Sequence, residues 1–252
     1  MTGSVRRTPY GEAVTDQLPP PFDRALPIGD YLDRVAAALI PLDVVRSQVF
    51  AAVSVCRDEL TQGLLAEVGG RWGRPFALGG LGGLPSLGRT GWRACLSHVP
   101  DVGGRGHLLV FGLPHIGLDP ERHPGRTLRP NQGAPTATCG ALAALFASLA
   151  DGAPPPEPLP EGLDDHEAQR LRRLVDDVGG GAPGDLVELT MRAAAAVEAE
   201  MWSELEALEA WRDMDVIVCC GVQVHVQGDV DHVIPTGSSV QRADGARRPL
   251  TL

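Results

Sequence analysis

A single α/β domain on a mostly parallel central sheet, flanked by helices, is the fold this sequence predicts. Three observations carry that expectation. Residues 48–55 (QVFAAVSV), 107–113 (HLLVFGL) and 216–226 (VIVCCGVQVHV) are short and largely apolar, as strands buried on both faces are. Segments with apolar residues at helical spacing follow the first of these runs, giving strand–helix units with short connections. Two helices and a strand then close the pattern. At 252 residues the chain can bury one sizeable core.

Residues 1–27 are polar and hold Pro9, Pro19, Pro20, Pro21 and Pro27, which predicts an irregular extension ahead of a domain spanning 28–240. Asp30 is placed to cap a helix in which Tyr31, Leu32, Val35, Leu39 and Ile40 recur at helical spacing, with Pro41 ending it. The strand at 48–55 runs into Cys56-Arg57-Asp58-Glu59, and Leu60, Leu64, Leu65 and Val68 predict the next helix. The stretch 76–84 (FALGGLGGL) matches neither GxGxxG nor GxxxxGK[ST]. It therefore predicts a close backbone approach in preference to a phosphate cradle. A helix from Gly88 through Trp92 and Cys95 to His98 turns back into the strand at 107–113.

Past Pro114 come His115, a Gly/Pro-rich loop and a small-residue helix opening at 136–139. Residues 151–163 (DGAPPPEPLPEGL) are acidic with five prolines, the composition of a semi-rigid linker. The chain beyond residue 163 is too short to fold alone, so the linker does not divide domains. Asp164 opens an amphipathic helix with Leu171, Leu174, Val175 and Val178 on one face, and GGGAPG (179–184) breaks it. A longer helix covers about 185–212. The run at 216–226 passes from continuous apolar residues into alternation, which predicts a last strand with one face partly wet. Residues 241–252 form a polar tail.

Composition excludes several functions. Thirty-two acids stand against 22 bases, all of them arginine, for a net charge of −10, which argues against a nucleic-acid surface. No run approaches the roughly 20 apolar residues of a membrane helix. The five cysteines (Cys56, Cys95, Cys139, Cys219, Cys220) are odd in number and scattered, unlike a secreted disulfide framework. No apolar leader comes after Arg6 and Arg7, so a cytoplasmic setting is expected.

Chemistry concentrates at three places. In open α/β sheets, sites form beyond the carboxyl ends of strands; Cys56 and His115 stand at such ends, and Cys139 at a helix entry. Three ligands from three separate elements suit a catalytic zinc, which keeps a fourth position open. The helix N-terminus is expected to lower the Cys139 thiol pKa. Asp58, two residues beyond Cys56, is the candidate supporting carboxylate, with an arginine to aim it. By spacing alone each residue has a plain alternative: buried thiols for the cysteines, a helix cap for Asp58.

Five blocks in one order narrow the choice: SVCRDEL (54–60), GGLGGLPSLGRTGWRACLSHVPD (79–101), GLPHIGLD (112–119), GRTLRPNQGAPTATCGAL (125–142) and GVQVHVQGDVDHVIP (221–235). Together they resemble the limiting-CO2-inducible protein B (LCIB) family, which includes the theta-class carbonic anhydrases. The resemblance implies a fold similar to beta-class carbonic anhydrases, a homodimer, and a zinc ion (Zn2+) held by Cys56, His115 and Cys139. It also implies Asp58 as gatekeeper of the fourth position, taken either by water or by Asp58 itself. Beta-class enzymes carry an arginine two residues after that aspartate, where this chain has Leu60. Arg129, in the fourth block, is the candidate substitute, ahead of Arg57 and Arg89.

The implied activity is reversible hydration of carbon dioxide to bicarbonate by zinc-bound hydroxide, with Val55, Leu81 and Leu84 lining an apolar pocket. Carbonyl sulfide, a carbon dioxide analogue, stays open as a substrate. The alternative is a non-catalytic zinc protein of the same fold that binds bicarbonate or a partner in inorganic-carbon handling, a reading that Leu60 favours. His98, His107 and His123 are further candidates for the pocket or the ligand set. Cys219 and Cys220 read as core thiols.

Overall fold

The valine-rich runs become the middle of one eight-stranded sheet. The computed structural model describes residues 18–101, 105–152, 166–179 and 181–252. The predicted extension up to residue 17, the linker from residue 153 and the helix start at Asp164 lie outside them.

Strand β1 (Leu26–Pro27) leads into α1 (Ile28–Leu39), followed by β2 (Val49–Val55), α2 (Gln62–Trp72), β3 (Phe76–Ala77), α3 (Gly88–Leu96) and β4 (Gly106–Leu113). After Pro114 come β5 (His115–Leu118), the two-stranded ribbon of β6 (Arg126–Thr127) and β7 (Thr136–Ala137), and α4 (Gly140–Ala150). The chain continues through α5 (His166–Val178), α6 (Leu186–Ala207), β8 (Met214–Val226), β9 (His232–Gln241) and β10 (Arg247–Pro249). The strand order is β1-β9-β8-β4-β2-β3; β5 lies along β8 beyond the end of β4, and β10 pairs with β9. Strands β3, β2, β4, β8 and β5 are parallel, and β9 is antiparallel to β8.

Side chains alternate across the pleat, which sorts the core into two faces. Val53, Phe111 and Ile217 pack against Tyr31 and Leu32 of α1 and Leu64 and Val68 of α2. Ala52, Val110 and Val218 face Trp92 of α3 and Val197 and Met201 of α6. Helices α4, α5 and α6 pack on one another through Leu142, Leu171 and Leu189. Among the described residues no helix is long and apolar enough to cross a membrane.

Helix boundaries differ locally from the expectation. Pro27, held by its pairing with His232, is the N-cap of α1, and Asp30 falls inside the first turn. Asp185 does cap α6, accepting the Glu188 amide. That helix ends at Ala207, because Glu209 adopts a left-handed backbone conformation (φ 52°) and turns the chain into a separate short turn.

The last part of the sheet departs most from the sequence reading. No residue from Asp215 to Val226 is wet; all are buried. Strands β4 and β5 cover one edge of β8 and β9 the other, so the alternation at 221–226 marks a polar face turned inward, onto other polar groups. The predicted polar tail also pairs: Arg247–Pro249 adds a strand to β9. Strand β9 itself carries no clean alternation, since Pro235, Gly237, Ser238 and Ser239 interrupt it. A register shift opposite Cys220 and Gly221 adds one residue to it.

At the amino ends of β4 and β8, remote from the carboxyl ends, Asp215 is 1% exposed. Arg105 donates to its Oδ1 at 2.6 Å, and Arg242 and His107 lie 3.4 and 3.3 Å from its Oδ2. Asp215→Ala is expected to cost about 1–3 kcal/mol in urea unfolding, since it removes the buried carboxylate that Arg105, Arg242 and His107 share.

Candidate metal centre

Cys56 is the first residue beyond β2, His115 opens β5, and Cys139 is the N-cap of α4. Backbone proximity fixes where each one points. A Cβ at Gly79 would stand 1.9 Å from the Val55 carbonyl oxygen, so the glycine-rich turn lies directly against the end of β2. Ser54 Oγ donates to Gly83 O across the same contact at 2.8 Å. Thr61 Oγ1 lies 3.0 Å from Cys56 O and 2.9 Å from Asp58 O, pinning the turn after Cys56. A Cβ at Gly117 would stand 2.2 Å from Thr138 Oγ1, so β5 runs against the segment that delivers Cys139.

The three side chains are buried, and their ligand atoms lie within 4.8 Å of one another. The two sulfurs are 4.0 Å apart. Two Zn–S bonds of about 2.3 Å at the tetrahedral angle call for a separation of about 3.8 Å. His115 Nδ1 is 3.0 Å from His225 Nε2, whereas His115 Nε2 is buried with no hydrogen-bond partner among the described residues. A buried polar atom left unpaired is costly, and a cation accepting its lone pair removes that cost. Two thiols and one free imidazole nitrogen form a donor set that suits zinc.

The thiols share charge unequally. A hydrogen bond from Cys139 holds the Cys56 thiol well below its ordinary pKa, against the opposing effect of burial, and His115 lowers it further. The same contact pushes Cys139 up, with burial adding to it. The amides of Leu142 and Ala141 at the start of α4 do favour a Cys139 thiolate, as its helix position predicts, but the neighbouring sulfur outweighs them. The predicted lowering therefore falls on Cys56. A divalent cation between the sulfurs would remove the repulsion and permit two thiolates.

Asp58 has two attachments. Its Oδ1 accepts the Leu60 amide at 3.0 Å, capping the short turn before α2, and its Oδ2 accepts Arg129 Nη2 at 2.8 Å. Arg129 also reaches Glu59 Oε1 (2.7 Å), Thr136 Oγ1 (3.0 Å), Ala137 O (2.8 Å) and Thr138 O (3.0 Å). Those five contacts match the five N–H donors of a guanidinium. Because Thr138 precedes Cys139, Arg129 ties the Asp58 carboxylate to the segment carrying the third candidate ligand. The guanidinium reaches Asp58 from the loop before β7, although the helix side of the site offers only Leu60.

The other candidates lie elsewhere. Arg57 donates to both carboxylate oxygens of Glu167 on α5, at 2.9 and 2.5 Å, and Arg89 is exposed on the first turn of α3. His98 stacks on Phe50 with ring centroids 5.6 Å apart, and His107 belongs to the Asp215 cluster. His123 is an exposed partner of Asp119 and groups with Asp119 and Glu121, separately from Cys56, His115 and Cys139. Of the expected pocket residues, Leu84 packs beside Cys56 and Cys139, and Val55 is buried at the end of β2. Leu81 instead lines a cavity of about 300 Å³ with Ala141, Leu145 and Leu171. Cys219 and Cys220 are fully buried core residues on opposite faces of β8.

Sequence reasoning assigns no role to His225, Asp231 and Gln223, which stand directly behind His115. All three lie in the block 221–235, so the signal was present, but the alternation there reads as a wet strand face.

Comparisons with known proteins bear on the family and the fold. Residues 25–242 match the family described as limiting CO2-inducible proteins B/C beta carbonic anhydrases. The solved structure of PtLCIB4, a homolog of the limiting CO2-inducible protein LCIB, is similar at 22% identity, with a TM-score of 0.76 over 91% of this chain and 96% of that one. The structure of LCIB itself is similar at 24% identity, with a TM-score of 0.71 over 91% and 95%. No curated protein sequence matches the chain.

Proposed function

The chain belongs to the family of limiting CO2-inducible proteins B and C, and on that premise we propose that it is a zinc-dependent carbonic anhydrase, reversibly hydrating carbon dioxide to bicarbonate. The observation that carries the reading is the convergence of Cys56, His115 and Cys139 within 4.8 Å, with Asp58 and Arg129 joined at 2.8 Å alongside. Zinc, when bound, supplies the Lewis acidity that makes water nucleophilic near neutral pH.

The chain's own residues do the rest. Cys56 Sγ, His115 Nε2 and Cys139 Sγ, carried by three rigid elements, would hold the ion. Asp58, an acceptor-only group when ionised, would accept a hydrogen bond from a water or hydroxide beside it and so orient that oxygen toward the substrate carbon. Arg129 prevents the carboxylate from rotating away. Carbon dioxide has no donor to offer Asp58.

Leu60 at the beta-class arginine position favours the second reading, a zinc protein that binds bicarbonate or a partner without turnover. Arg129 weighs against it by supplying the guanidinium from another loop. Metal analysis combined with stopped-flow carbon dioxide hydration separates the two. The expected result is about one zinc per chain and a zinc-dependent rate. One zinc with only the background rate would leave the binding reading, and a chain that takes up no zinc would remove both.

A further inference from the structure

We propose that His225 and Asp231 are positioning residues for His115: together they fix its tautomer and ring orientation, so that the Nε2 lone pair faces the two cysteines. The proposal rests on the reading of Cys56, His115 and Cys139 as metal ligands, and it assigns a purpose to the inward polar face of β8.

The direction of the chain of hydrogen bonds is set at its far end. Asp231 Oδ1 lies 3.0 Å from His225 Nδ1, and its Oδ2 lies 2.9 Å from Gln223 Nε2. An ionised carboxylate can only accept, so His225 Nδ1 carries a hydrogen and donates it. In a neutral imidazole the other nitrogen is then an acceptor, which makes His225 Nε2 the acceptor toward its neighbour. With His225 neutral, that neighbour, His115 Nδ1 at 3.0 Å, is the donor and the protonated nitrogen of its ring. The remaining lone pair of His115 is on Nε2, the atom that is buried and otherwise unpartnered.

Burial and backbone support keep these groups in register. His115 and His225 are 0% and 6% exposed, and their rings meet edge to face at 84°. His115 is paired with Gln223 and Gly117 with His225 across β5 and β8. The Gln223 amide donates to Pro114 O, and Asp231 O accepts the Ile28 amide at the start of α1. Two successive polar residues of β8 on one face thus act on a single imidazole, and Asp231 reaches them from the turn into β9.

Two readouts test this, one of them without metal. In the metal-free protein, imidazole ¹⁵N shifts of His115 are expected to show the Nδ1–H tautomer; an Nε2–H tautomer would overturn the proposal. Zinc affinity is then measured by competition with a chelator of known affinity. His225→Phe is expected to weaken zinc about 10–100-fold, with His225→Gln recovering most of the loss, because its amide oxygen can stand where Nε2 stood. If His225→Phe does not fold, Asp231→Ala, at a position whose side chain is 25% exposed, is expected to give mixed His115 tautomers and weaker zinc. Folded variants that keep wild-type zinc affinity would overturn the proposal. A wild-type chain that takes up no zinc would defeat the metal reading instead, while the ¹⁵N shifts still report the tautomer.

Discussion

Cys139→Ala is expected to remove zinc from the purified protein and to bring carbon dioxide hydration down to background. The substitution leaves Cys56 and His115, two ligands of unequal charge, where a catalytic zinc takes three from the protein. It also removes the hydrogen bond that lowers the Cys56 pKa, so the surviving thiol competes less well for the ion. The metal-free fold should tolerate the change, at a cost of about 1–2 kcal/mol in urea unfolding. Cys139 contributes one small buried group beside Leu84 and Leu142, and its loss ends the conflict between adjacent sulfurs. Cys95→Ala is the control. Its thiol, pushed up to about 12 by burial, lies among Trp92 and Leu108 in a different core cluster from Cys139. That variant is expected to lose some stability and to keep both zinc and rate. Equal zinc in the two variants, by elemental analysis, would show that Cys139 is no ligand.

Arg129→Ala is expected to keep the zinc and lower kcat about 10²–10³-fold, the range seen when one preorganised donor of an active site is removed. Five contacts disappear together, and the one to Asp58 Oδ2 matters most for turnover. Without it, only the Leu60 amide still holds the carboxylate, through the other oxygen. Arg129→Lys should recover little, because a single ammonium cannot span acceptors on Asp58, Glu59 and the 136–138 backbone at once. Glu59→Ala separates the fork from its exposed arm: the Glu59 side chain is 68% exposed, and its loss should change the rate only slightly. A parallel fall in zinc content would mean that Arg129 supports the Cys139 segment more than it supports Asp58.

The residues behind these two predictions were legible in the sequence to different degrees. Cys56, His115 and Cys139 stand where α/β folds place chemistry, at strand ends and helix starts. Each is flagged by a change of pattern: an apolar run ending, a proline, a small-residue helix beginning. Asp58 was legible as a cap, and it is one, through Oδ1; the second attachment through Oδ2 leaves no local trace. Arg129 stands 71 residues from Asp58 along the chain, and only its place in an ordered block of resembling motifs singled it out among 22 arginines.

The parallel core was legible for the reason that Val53, Phe111 and Ile217 are buried: two-sided burial leaves no polar period. The same logic failed at 221–226. A period of two reports that the two faces of a strand differ, and water is only one of the things that can make them differ. Here the polar face meets the His115 support. Strand β9 was missed because Pro235 and its glycine and serine neighbours are tolerated at a strand bordered by short edges and an added residue, where the ladder is already irregular.

The small break at Pro114 also bears on how the protein is made. Strand β4 ends there, and β5 pairs with β8, about a hundred residues later in synthesis. His115 therefore leaves the ribosome long before the strand that seats it, and Asp231 emerges later still. A nascent chain carrying both cysteines and His115 has the ligands without the seat. In a zinc finger the ion organises the peptide around itself; under the proposed function the order would be reversed, the sheet closing before an ion had a place to go. The metal would then mark a finished molecule.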